Sequence, residues 1–183
     1  MKKWIIGSLV GAILLFLWQF LSWAALELHD KEYKYLPAQD QLMAAIQSNV
    51  KEDGQYMLPN TPPNATNADK EKMMTEMAGK PYAIVAYKSS YKMDSVMQMI
   101  RSFLVDFVIA LLLIYVLGKR ANLTMGSVWM ASLAIGFIAW LWQPYTAHIW
   151  FQTPVEVITG ALMDWFVAFS LLGVWLGFWL RRV

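Results

Sequence analysis

The sequence predicts a membrane all-α fold: a four-helix transmembrane bundle with a small extracytoplasmic α+β insertion between spans one and two. Three observations predict it. The 183 residues are 58% hydrophobic, with a mean hydropathy of +0.40, above the roughly 45–50% apolar content of soluble domains. The polar residues crowd into one block, from about Glu27 to Lys92. The remainder consists of long apolar runs with basic pairs at their ends.

A bilayer core about 30 Å thick is crossed by roughly 20 helical residues, each rising about 1.5 Å. Four stretches reach that length: Trp4 to Leu26, Met97 to Leu117, Leu123 to Tyr145 and Val155 to Leu180. The pairs Lys2–Lys3, Lys119–Arg120 and Arg181–Arg182 then fall on one side, which the excess of basic residues in cytoplasmic flanks makes the cytoplasm, with both termini there. The first run is longer than the apolar core of a signal peptide. It is therefore read as a span, although Ser22-Trp23-Ala24 loosely fits a cleavage site that would leave three spans. Trp4, Trp23, Trp140, Trp142, Trp150, Trp175 and Trp179 sit near span ends, where amphipathic rings favour the headgroup level.

The polar block, residues 27–96 between the spans, reads as a small α+β unit. Pro37 opens a helix to about Val50, with Leu42, Ile46 and Val50 on one face and Gly54 as its stop. Gln55 to Leu58 is a short strand, and Asn60 to Asn64 is loop. Asn67 or Asp69 caps a second helix that ends near Gly79. Pro81 to Lys88 contains the best strand of the chain, Ala83-Ile84-Val85-Ala86-Tyr87, able to pair with the first. About 65 residues make a marginal independent domain, so a supporting surface is expected.

Composition also excludes chemistry. A net charge of +2 gives no field for nucleic acid. With no cysteine, disulfides, thiolate zinc, iron–sulfur clusters and a cysteine nucleophile are absent, and two histidines rule out a histidine-rich metal centre. No nucleophile-elbow, zinc-protease or phosphate-loop pattern occurs, so no catalysis, metal or cofactor is expected.

Three groups of residues invite function. Asp106, Glu156 and Asp164 fall inside or at the edge of the spans, where a charge costs about 2.5–3.5 kcal/mol near the bilayer centre. Arg101 lies about a turn from Asp106, Ser102 shares its face, Gly160 shares that of Asp164, and His148 lies in the adjacent loop. A polar intramembrane site built from Arg101, Asp106, Glu156 and Asp164 would bind a cation or pass a proton. The competing reading is a buried Asp–Arg pair that fixes helix register, or carboxylates that stay neutral and hydrogen-bonded. Gly7 and Gly11, and Gly173 and Gly177, each form a GxxxG notch for close helix packing. They predict a crossing of spans one and four, or contact with another chain. Met73, Met74, Met77, Met93, Met97 and Met99 admit Cu(I) binding, or the flexible packing methionine gives any core.

The glycine-spaced first span with Trp18, Ser22 and Trp23, the turn Gly54-Gln55-Tyr56-Met57-Leu58-Pro59 and the strand after Gly79-Lys80-Pro81 resemble an uncharacterised group of small bacterial inner-membrane proteins. The resemblance covers roughly the first half of the chain. It implies a multi-pass protein of the bacterial inner membrane with a periplasmic insertion, and transfers no functional residue. The expected function is an accessory or scaffold subunit of an inner-membrane complex, partnered by lipid and by another membrane protein or a second copy. The alternatives are a small ion- or proton-coupled carrier using the buried carboxylates, and a periplasmic copper-handling protein.

Overall fold

The computed structural model describes residues 2–119 and 122–181. Arg120 and Arg182, two of the basic flanking residues, lie outside them. In chain order the elements are α1 (Lys2–Phe20), continued by a π-helical turn (Leu21–Ala25), α2 (Gln39–Asn49), β1 (Gly54–Leu58), α3 (Asn67–Met77), β2 (Ala83–Tyr87), α4 (Ser95–Leu117), α5 (Met125–Trp140), a second π turn (Leu141–Tyr145), α6 (Thr146–Phe151) and α7 (Val155–Trp179). They fall into two units, Met1–Tyr35 with Asp94–Val183, and Leu36–Met93.

The first unit holds four helical stretches long and apolar enough to cross a membrane: Lys2–Ala25, Ser95–Leu117, Met125–Phe151 and Val155–Trp179. The third outruns its expected limit. Pro144, which has no N–H to donate, is accommodated within the second π turn, so helix continues through His148 and Trp150, where a loop was expected. α1 packs against both α4 and α7, and α7 packs against α5. Leu15, Ala110, Leu113, Ile114, Leu117, Val128, Leu172 and Leu176 form the core of this unit, with contributions from all four long helices.

Small residues set these approaches. A Cβ on Gly11 would meet Ala110 and Leu172 at 2.8–2.9 Å, so α1 lies close to α4 and α7 at one level. Gly173 faces Ser132 and Trp129, and Gly177 faces Met125. The two GxxxG notches therefore do not meet: one seats α1 against α4 and α7, the other seats α7 against α5. Indoles expected at the water interface also bridge helices. Trp175 Nε1 donates to the Gly7 carbonyl at 2.9 Å, and Trp179 Nε1 to that of Lys3 at 3.0 Å. Ser132 Oγ donates to the Phe169 carbonyl at 2.9 Å. Interhelical hydrogen bonds of this kind contribute on average about 0.6 kcal/mol each in lipid.

The inserted unit, Leu36–Met93, carries the antiparallel pair β1–β2, with Gly54 opposite Tyr87 and Leu58 opposite Ala83. Gly54 opens β1 rather than closing α2, which ends at Asn49. The cap of α3 is Thr66, one residue earlier than expected. Its hydroxyl accepts from the Asp69 N–H at 3.2 Å, and the Asp69 carboxylate accepts from the Thr66 N–H at 2.9 Å, a reciprocal capping box. Asp53 ties the open end of the hairpin, accepting from the Ser89 N–H at 2.8 Å, the Ser89 hydroxyl at 2.7 Å and Lys88 Nζ at 3.1 Å. No side chain of this unit is fully buried.

Candidate functional site

The site begins where α1 stops being regular. In its last turn the Leu26 N–H reaches back five residues to the Leu21 carbonyl at 2.8 Å. This widening to π geometry turns Ser22 inward, where it is fully buried. Glu27 then takes a left-handed conformation, φ 53°. The Leu28 N–H closes on the Ser22 carbonyl at 3.1 Å, and the Glu32 N–H on that of His29 at 2.9 Å. The chain thus doubles back and returns His29 to the end of the helix it has just left. Trp23 covers the imidazole face to face, with ring centroids 3.9 Å apart and planes 5° from parallel.

His29 is only 5% exposed and is held by acids on both nitrogens. Nδ1 is bonded to Glu32 Oε1, and Nε2 lies 2.9 Å from Asp164 Oδ2 on α7. Ser22 Oγ donates to Asp164 Oδ1 at 2.5 Å and stands 3.1 Å from His29 Nε2. Gly160, one turn before Asp164, makes room, because a Cβ there would run into Glu32 Oε1 and His29 Nδ1. Proton counting gives this cluster its chemistry. Each carboxylate–imidazole bridge needs a hydrogen between its heavy atoms, so two bridges need two protons. A neutral imidazole brings one, so filling both bridges at once takes one proton more than the neutral ring carries. The serine, imidazole and acid also superficially resemble a nucleophile–base–acid triad, but Ser22 is fully buried and its hydroxyl is directed to Asp164.

A second polar group lies one turn earlier along α1. Asp106 of α4 is 1% exposed. Gln19 Nε2 donates to its Oδ1 at 2.9 Å, and Gln19 Oε1 accepts from the Ser102 hydroxyl at 2.9 Å. Asp106 Oδ2 has no partner among the described residues. Gln19 and Ser22 are one turn apart and share a face of α1; the amide bonds to α4 and the hydroxyl to α7.

The four expected site residues are therefore dispersed. Asp106 and Asp164 both face α1, each with its own partners. Arg101 does not pair with Asp106; it is exposed on α4, and the amide of Gln19 takes its place. Glu156 stands at the first turn of α7 in a surface ion pair with Lys34 at 3.4 Å. His148 bonds the Thr153 carbonyl through Nδ1 at 2.6 Å, away from either aspartate's partners. Met73, Met74 and Met77 lie on α3 in the inserted unit, whereas Met97 and Met99 open α4 in the other. Among the described residues no group of three or more histidine, aspartate or glutamate side chains has the arrangement of a metal site.

His29, Glu32, Ser22 and Gln19 were not anticipated. The spacing His29-x-x-Glu32 was a usable signal, as was Gln19 three residues before Ser22 within an apolar run. Comparison with family models, with curated proteins and with solved structures returned no match.

Proposed function

We propose that this chain is a small proton-coupled carrier of a bacterial inner membrane, loading and releasing its proton at His29, Glu32 and Asp164. The observation that carries this reading is the buried imidazole held between two carboxylates. With both termini in the cytoplasm, as the basic flanks favour, the cluster opens toward the periplasm through a shallow recess lined by Trp23, His29, Asp30 and Tyr33. Asp164 lies within a candidate membrane-spanning helix, where ionisable groups are costly and mark proton and ion pathways.

The test is proton flux into proteoliposomes holding a pH dye, driven by an imposed potential. His29→Gln and Asp164→Asn are expected to lower the flux at least about tenfold, since each removes a proton-accepting group from the bridge. Their native mass and helix content should be unchanged. Parent-like flux in both folded variants ends this reading.

One observation favours a second reading, an accessory or scaffold subunit of an inner-membrane complex without catalysis of its own. The inserted unit has two helices and a hairpin but no buried side chain, and it exposes Leu42, Met43, Leu58 and Met74. A unit of that kind gains its stability from a covering partner.

A further inference from the structure

We propose that Asp106 is a second proton-binding site, and that Gln19 and Ser102 form a reversible hydrogen-bond chain that serves both of its protonation states. The chain runs in one direction as found. The Ser102 hydroxyl donates to Gln19 Oε1, and Gln19 Nε2 donates to Asp106 Oδ1. That direction suits a charged carboxylate, which only accepts. Every link can be reversed. A protonated Asp106 donates its O–H to the amide oxygen, a half-turn of the Gln19 amide presents its NH2 to Ser102, and the serine hydroxyl accepts as readily as it donates. Both states keep two hydrogen bonds, so gaining or losing the proton leaves no member of the chain unpaired.

The surroundings support proton binding over a fixed charge. Asp106 is buried, and among the described residues its Oδ2 has no hydrogen-bond partner and none of the ion pairs involves it. Its own helix carries Arg101, which is exposed. Of the helices packed on α4, α1 has only Lys2 and Lys3, at its opposite end, and α5 has no ionisable residue. A structural hydrogen bond alone would be served by asparagine, without the cost of an acid in an apolar core. This inference extends the carrier reading from one proton site to two. It is tested without any measurement of flux, so either can fail alone.

The experiment is infrared difference spectroscopy of the full-length protein in lipid bilayers between acid and alkaline pH, with 13C-aspartate labelling to identify the aspartate carbonyl. A protonated-carboxyl C=O band that gives way to carboxylate as pH rises is expected. It should be absent in Asp106→Asn and retained in Asp164→Asn. Gln19→Leu removes the amide that donates to the charged form, so the midpoint should move to higher pH by about one unit, a tenfold gain in proton affinity. This variant keeps the test open if Asp106→Asn does not fold. Carboxylate signal alone at every pH overturns the proposal. So does an acid band that never titrates, or a titration midpoint that Gln19→Leu leaves in place.

Discussion

At the scale of single residues, Gly160 holds the His29 cluster together by having no side chain. A methyl group there would occupy the space of the Glu32 carboxylate and the imidazole. Gly160→Ala should cost about 1–3 kcal/mol of stability, the usual penalty for overfilling a packed site. Thermal unfolding in detergent, with the His29 ring resonances as a local probe, checks it; unchanged ring shifts would show that the cluster does not depend on this gap. Asp106 and Asp164 were legible in the sequence because an acid inside an apolar run stands out. His29 was not, because its place depends on a left-handed residue at Glu27 and on a π turn. Glutamate carries no preference for either conformation, so neither left a trace. Arg101 failed for the opposite reason. Proximity in sequence suggested a pair, but Arg101 is exposed on α4, and the partner of Asp106, Gln19, belongs to another helix.

At the scale of elements, the best-read parts were those where periodicity and β-branching are strong. The four long helices, both strands and the second inserted helix lie within a few residues of their expected limits. The exceptions are local. The third span, expected to end near Tyr145, continues past Pro144 through a π turn and a further helix to Phe151. The inserted hairpin supplies a pH prediction. Hydrogen bonds from Ser89, its backbone N–H foremost, hold the Asp53 carboxyl down from the ordinary value of 3.8 to about 2. A lowered value means that the carboxylate's contribution is complete above about 3.8 and fades as pH falls through about 2. The protection of the Ser89 amide, its exchange relative to the intrinsic rate at the same pH, should therefore fall between those limits and stay constant from pH 5 upward. Asp53→Asn should abolish the step while leaving the β1–β2 register intact.

At the scale of the whole molecule, the two units differ in how they are stabilised. The helical unit has a core shared by all four long helices. The inserted unit has none, and composition anticipated this only as a shortage of length. Native mass after mild detergent extraction separates the two functional readings. A stoichiometric companion released when Leu42 and Met43 become Asp would favour the accessory role, with the inserted unit as the attachment. A lone monomer or dimer with intact helix content would favour the carrier.

The stacking of Trp23 on His29 has an optical consequence. A protonated imidazole drains the excited state of an indole lying 3.9 Å away far better than a neutral ring does. The emission of this one tryptophan therefore reports the charge of the ring beneath it. Ten tryptophans contribute to the total signal. The spectrum of the parent minus that of His29→Gln cancels the nine whose surroundings are unaltered, so the proposed proton exchange at this cluster has an optical readout within the chain itself.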